Sequence, residues 1–290
     1  MHVRLLLLAA ALVAAAPAVA DPPPPLGIPD LVGARTLGMG ATVAMPGGND
    51  ALWVNPAALA ARRRYSVDAT YFGDRRGADQ VGNVYGGSVV DSLSGPVAAG
   101  FGYEKVLKGP DEGNLFQFGV GGPIADKLYL GLTGKYDALH PGTVPGKNTS
   151  AATLDVGAFW EPTSFLGIGA AGYNLVSIAN PRVAPRMVAA GLSVGSDQGI
   201  RFSGEWRGDL DRAPKTTNRW ALGAEALLGD LVPIRAGWVK DETLHESWWS
   251  AGIGVVVRSG AGIDAAYRQG IGDPSARTFA VSLKYFFSQF

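Results

Sequence analysis

Beyond residue 64 the chain repeats one pattern. Segments of about 8–13 residues alternate apolar side chains with small or polar ones, and turn signals divide them. The spacing predicts strands over 65–72, 81–91, 95–106, 114–124, 127–139, 151–161, 165–175, 186–196, 200–210, 219–229, 232–242, 247–258, 261–271 and 277–287, fourteen in all. Phe202 and Trp206 fall on one face of their segment; Arg201, Ser203, Glu205 and Arg207 fall on the other. Ile263, Ala265 and Tyr267 likewise oppose Asp264, Ala266 and Arg268. Phe279, Val281, Leu283, Tyr285 and Phe287 make one apolar face opposite Lys284.

The connections alternate too. Tight turns are expected at 92–94, 125–126, 162–164, 197–199, 230–231 and 259–260. Longer, more polar links are expected at 73–80, 107–113, 140–150, 176–185, 210–218, 243–246 and 272–276. Ten-residue alternating segments with alternating short and long links are the signature of an all-β, antiparallel transmembrane barrel. Closure has a physical cause: an unpaired backbone group in hydrocarbon costs several kcal/mol, so a sheet in lipid keeps no free edge. A soluble β-sandwich also has many short strands. It would not place a face rich in Trp, Phe, Leu and Val outward.

Composition agrees. Charged residues are 17% of the chain, below the usual ~25%, and there are 41 Gly and no Cys. Disulfides and thiolate metal sites are excluded. The 25 basic and 25 acidic residues balance, and removing residues 1–20 takes only Arg4, leaving 24 against 25. No basic patch calls for a nucleic-acid partner.

Residues 1–20, MHVRLLLLAAALVAAAPAVA, read as a cleaved signal peptide: Arg4, the apolar run Leu5–Ala16, then Ala18-Val19-Ala20. The run is short for a spanning helix, the rival reading. Asp21 and Pro22–Pro25 then form a stiff lead. The expected organisation is signal peptide 1–20, lead and plug 21–64, and barrel 65–290.

Gly33–Leu59 lacks the alternation. Its glycines, among them Gly38 and Gly40 flanking Met39, permit tight bends. Asn49 is placed to cap a short helix through Trp53, and Asn55-Pro56 to start a second turn. The wording GARxLGMGxT, then NDALWVNPAAL, resembles the N-terminal part of FadL-type outer-membrane transporters and of the related PorV/PorQ-type barrels. The resemblance implies a hatch inside the barrel, formed here around Gly38, Met39, Gly40, Asn49, Trp53, Asn55 and Pro56. A cap packed on one end of the sheet is the alternative. Fourteen strands leave room for such an insert. Arg62-Arg63-Arg64 reads as a solvated junction or a periplasmic rim anchor.

The lumen face is expected to carry Asp68, Glu104, Lys135, Asp155, Glu161, Arg201, Glu205, Arg207, Glu225, Arg235, Asp264, Arg268 and Lys284. Both signs are present, which suits salt bridges that hold the hatch. Of three histidines, His2 falls in the leader and His140 and His245 in long links, so neither a metal site nor a His-based triad is expected. No cofactor and no enzyme activity are expected. Asn148-Thr149-Ser150 matches a glycosylation sequon, which a bacterial outer membrane would leave unused. Gly121-Gly122-Pro123 interrupts the fourth segment. In FadL-type barrels an inward strand kink opens a side exit to the membrane, and the resemblance extends that expectation to this tripeptide. Its plainer reading is a shaped turn.

The resemblance implies passive uptake of small hydrophobic molecules, such as fatty acids, with Met39, Leu52 and Trp53 toward the substrate. The alternative is a PorV-like, non-transporting barrel that docks secreted or surface proteins; the short loops favour it. Partners implied are outer-membrane lipid, a hydrophobic small molecule, and the barrel-assembly machinery through a C-terminal strand ending in Phe290. Both mature termini are expected in the periplasm.

Overall fold

The computed structural model describes residues 33–76, 80–108, 111–140, 149–176 and 184–287. The leader, the proline run, Asn148 and Phe290 lie outside the described residues. Fourteen strands follow one another: β1 (Tyr65–Arg76), β2 (Gln80–Asp91), β3 (Ala98–Lys108), β4 (Asp111–Ala125), β5 (Leu128–His140), β6 (Thr149–Thr163), β7 (Leu166–Tyr173), β8 (Met187–Gly195), β9 (Ile200–Asp209), β10 (Thr217–Leu228), β11 (Val232–Asp241), β12 (Glu246–Val256), β13 (Ala261–Gly270) and β14 (Arg277–Phe287). Each pairs antiparallel with its sequence neighbours, and β1 closes on β14 from Tyr65↔Phe287 to Arg75↔Arg277. No open sheet edge remains among the described strands. The two ends differ: one holds the tight turns and the start of β1, the other the longer links. We call them the turn end and the loop end.

Two expected long links are largely strand instead. β1 and β2 stay paired to Arg76↔Gln80, and β3 and β4 to Lys108↔Asp111. Near the loop end the charged sequence loses its apolar alternation, yet backbone groups still satisfy one another by pairing. β3, in contrast, starts at Ala98 rather than at residue 95, because Pro96 has no N–H to offer the ladder.

The pleat sorts side chains as the period of two requires. Phe118, Phe202, Leu222, Ile253 and Leu283 turn outward and stay exposed, while Thr133, Ser193, Phe159 and Arg201 turn inward and are buried. Near the loop end, aromatic rings pair across strands on the outer face: Tyr71 with Tyr85, Tyr103 with Phe116, Trp249 with Tyr267. Their polar tips are anchored toward that end. Tyr71 and Tyr103 donate to Asn83 and Asn114 at 2.7 Å, Trp206 to Asn218 at 3.0 Å, and Tyr267 to Gln269 at 2.8 Å. Rings with one wet and one apolar end mark the boundary between lipid and water.

Leu222→Arg places a cation on the apolar band in mid-strand. It is expected to cost about 2–4 kcal/mol in an equilibrium folding titration into bilayers.

Candidate functional site: a plugged lumen

The residues ahead of β1 fold inside the barrel as helix α1 (Ala34–Met39), helix α2 (Ala51–Val54) and a 3-10 helix over Pro56–Ala61. Gly40 ends α1 in the left-handed region, at φ 71°, and its N–H donates to Thr36 O. A Cβ there would lie 2.8 Å from Val239 Cγ2, so space and backbone both demand glycine. Asn55 caps the 3-10 helix by accepting from Ala57 N, and Pro56 occupies its first position. Asn49 does not cap α2 as its spacing suggested; Asp50 stands at that position, without a side-chain cap bond. The Asn49 amide donates instead to Ser88 Oγ at 2.9 Å and accepts from Ser66, tying the hatch to β1 and β2. A wall partner outcompetes a local cap because the lumen offers no bulk water to the amide.

The wall is built to receive this segment. Inward glycines leave room for hatch backbone: Gly121, Gly131 and Gly157 face Pro56, Gly167 and Gly169 face Val43 and Ala44, and Gly223 and Gly237 face the Met39 carbonyl. A Cβ at Gly119 would stand 2.6 Å from Leu52 Cδ1, and one at Gly102 2.9 Å from Trp53 Cζ2. Inward hydroxyls satisfy the backbone groups that the irregular hatch leaves open. Ser193, Ser203 and Ser250 donate to the carbonyls of Ala44, Ala41 and Gly38 at 2.7, 2.7 and 2.9 Å. Tyr173 and Thr133 donate to Val54 O and Leu52 O at 2.6 and 3.2 Å. Glu205 Oε2 accepts from Thr42 N and Val43 N at 2.9 and 3.0 Å. Asn55 Nδ2 bridges Val43 O and Ala158 O at 2.8 and 3.0 Å.

Asp68, Glu104, Lys135, Asp155, Glu161, Arg201, Glu205, Arg207, Arg235, Asp264 and Arg268 are buried, and Glu225 and Lys284 are partly so. Arg35, Glu225, Arg235, Asp264 and Lys284 form a chain of ion pairs at 2.8, 2.6, 2.7 and 2.9 Å. Its first link joins hatch to wall. Burial opposes the charge on Arg35, and the attraction and hydrogen bonds of Glu225 outweigh it, raising that guanidinium above its ordinary value. Glu205 also holds Arg207 at 2.7 Å. Lys135 and Asp155 pair at 2.8 Å across β5 and β6, apart from the other two groups. Arg201 reaches Asp197 at 3.0 Å, and the Arg268 guanidinium lies over the Trp248 ring at 5.0 Å. Asp68 accepts from Thr70, and Glu104 shares a small polar cavity with Asp50 and Asp68. Buried pairs add little net stability, but breaking one is costly, so they favour one seating of the hatch.

The lumen wall is not uniformly polar. Phe72, Val84, Val106, Leu115 and Ala280 pack with Ala34 and Leu37 of the hatch into a buried apolar strip on β14 and β1–β4. Met39, Leu52 and Trp53, expected toward a substrate, are buried in the seat: Leu52 and Trp53 fill the spaces over Gly102 and Gly119. At Gly121-Gly122-Pro123, β4 pairs with β3 up to Ala98↔Gly121 and with β5 up to Pro123↔Tyr129; one irregularity lies between Pro123 and Ala125. The strand stays in the ladder there. Outside it, Val97, Gly122, Leu130 and Leu132 border an apolar groove of about 290 Å³.

The strand glycines carry no assigned role in the sequence, and their part as a seat emerges only in the fold. The readable signal is their spacing of two on the inward parity, as at Gly100/Gly102, Gly119/Gly121 and Gly167/Gly169. Gly131→Val would drive its side chain into the Pro56–Ala57 backbone and is expected to expose the hatch to added protease. Gly134→Val, on the lipid face, is expected to leave it protected. Asn55→Ala removes the hatch's central bridge and is expected to cost about 2 kcal/mol in denaturant melts.

No protein-family model matches the chain, and no curated protein matches its sequence. Solved structures do resemble it. The Ralstonia pickettii toluene transporter TbuX superposes with TM-score 0.65 at 14% identity, over 88% of this chain and 98% of that one. The CymD monoaromatic hydrocarbon channel gives 0.65 at 15%, over 90% and 98%. A Pseudomonas aeruginosa FadL homologue gives 0.62 at 13%, over 89% and 99%. At such identities the likeness is one of fold: this chain is a fourteen-stranded transmembrane β-barrel, similar in fold to those channels, with its N-terminal hatch inside the lumen.

Proposed function

We propose that the protein is a bacterial outer-membrane channel for passive uptake of small hydrophobic molecules, gated by its hatch, with the turn end and both mature termini in the periplasm. One observation carries this reading: an apolar strip, Phe72-Val84-Val106-Leu115, lines the inner wall between the loop end and α1. A water-filled pore has no use for buried aliphatic groups on its inner face, whereas a lipophile gains about 25 cal/mol per Å² of apolar surface removed from water. The named substrates of the similar structures, toluene and monoaromatic hydrocarbons, support a small aromatic ligand over a long fatty acid.

Release requires the hatch to move. The region around Gly121, Gly122 and Pro123 is the proposed side exit: glycines there separate the Pro56 backbone from the apolar groove outside. A ligand leaving by this route would pass from lumen to lipid without meeting water. The second reading, a docking barrel for secreted proteins, draws support from the many hatch-to-wall bonds, which suit a lumen that stays sealed.

Uptake of radiolabelled toluene by cells producing the protein, with and without residues 26–61, separates the two. Channel function predicts uptake above that of cells lacking the protein and higher single-channel conductance after hatch deletion. Unchanged conductance would sink the plug reading. Uptake no better than background, with co-purification of a secreted protein, would favour docking.

A further inference from the structure

The turn end holds a cavity that uptake of a neutral hydrocarbon does not use. It measures about 400 Å³, within the range of ligand sites, and lies between the hatch residues Pro46–Asp50, the link Arg62–Arg64, the β8–β9 turn and the inner wall. Six basic side chains line it against four acidic ones. Most of this charge is internally matched. Arg62 holds Glu161 and Asp197, each at 2.7 Å, and those bonds raise its guanidinium above its ordinary value. Arg35, Arg235 and Lys284 belong to the Glu225–Asp264 chain.

Arg63, exposed, donates to the carbonyls of Gly95 and Leu93, which leaves Arg64. It forms no ion pair with a described carboxylate, and its Nη2 is closed off from solvent with no hydrogen-bond partner. Among the described residues its guanidinium lies over the Phe286 ring, 5.4 Å from the ring centre. Nη2 is pressed against the hatch: it would lie 3.2 Å from a Cβ at Gly47 and 3.6 Å from one at Gly48, where Arg35 Nη1 also comes within 3.7 Å. Two guanidinium groups thus converge on one glycine pair, and one of them has no ion-pair partner among the described residues. Burial, then repulsion from Arg35 and Arg62, outweighs the attraction of Asp50 and Asp197 and pushes Arg64 down to about 10, which leaves it cationic at neutral pH. A partly buried charge without an ion pair is costly unless something compensates it. The opposite wall of the cavity supplies apolar surface from Leu227, Pro233, Val256 and Phe286.

We infer that this cavity is an oxyanion site, in which a carboxylate or phosphate bonds to Arg64 and its apolar body rests on Leu227 and Phe286. A guanidinium donates charge-assisted hydrogen bonds to such a group. The bound anion would bridge hatch segment 46–50, the Arg62–Arg64 link and the wall, and so hold the plug in its seat. The inference stands apart from hydrocarbon uptake: a barrel that never conducts would still bind the anion.

The test is isothermal titration calorimetry on the full chain in a zwitterionic detergent. Inorganic phosphate, benzoate and monomeric dihexanoylphosphatidylglycerol form separate arms, with sodium chloride at matched ionic strength as the blank. Saturable binding in at least one arm is expected, and the tightest arm identifies free ion, small carboxylate or lipid headgroup. Arg64→Met is expected to weaken it about tenfold or more. Arg64→Lys, which keeps the charge, should retain part of it, and Lys215→Gln in the β9–β10 link should bind as the parent does. No saturable heat in any arm would overturn the site. So would Arg64→Met binding as tightly as the parent, or the loss of binding in Arg64→Lys and Lys215→Gln alike.

Discussion

Backbone hydrogen bonding in hydrocarbon is the constraint on which the rest of this molecule depends. A sheet immersed in lipid must pair every strand on both sides, so β14 returns to β1 and the chain becomes a tube. That closure divides the side chains into two populations with opposite demands. The outer set must be apolar, with aromatic rings where lipid meets water. The inner set is relieved of that demand and becomes free to be small, charged or hydroxylated.

The hatch exists because the inner set uses that freedom. A stretch of irregular backbone exposes amides and carbonyls that neither lipid nor a dry lumen would satisfy. Serine, threonine and tyrosine hydroxyls on the wall satisfy them, and Glu205 takes two amides at once. Glycine removes the side chains that would otherwise hold the hatch away. These two features act together: close approach makes the hydrogen bonds short, and the hydrogen bonds make close approach specific to one seating. The ion-pair chain from Arg35 to Lys284 adds a registry element, since a displaced hatch would leave Glu225 short of a partner.

The same logic separates a lock from a path. Glycine-to-backbone contacts and hydroxyl bonds occupy much of the wall, whereas β14 and β1–β4 carry apolar groups that pack on α1, beside one hydrogen bond from Ala34 N to Ser282 Oγ at 3.1 Å. Dispersion and desolvation are non-directional, so a lipophile could replace Leu37 there with less loss than at a hydrogen-bonded seat. Below, the link Arg62–Arg64 joins hatch to barrel, and Arg64 sits where two parts of the molecule meet, with no ion-pair partner among the described residues. Reading that triplet as a solvated junction or a periplasmic rim anchor did not tell the three apart, because the sequence shows three equivalent arginines. Only the fold gives one of them two carboxylates, one the backbone carbonyls of Leu93 and Gly95, and one an aromatic ring.

The pattern of amino acids by itself determined the strands, their number, and the face each residue takes. A two-residue period is local, and every charge assigned to the lumen at Asp155, Glu205, Arg235 or Asp264 follows from parity alone. Strand ends were less legible. Arg76 and Gln80 pair although their neighbours no longer alternate, since pairing serves the backbone and not the side chains. Which glycines meet which hatch atoms, that Asn49 bonds β2 rather than its own helix, and that Trp53 packs over Gly102 were decided only by the tertiary structure. Those contacts join positions tens to hundreds of residues apart, and their partners are fixed by the curvature and stagger of a closed tube, which no local period encodes.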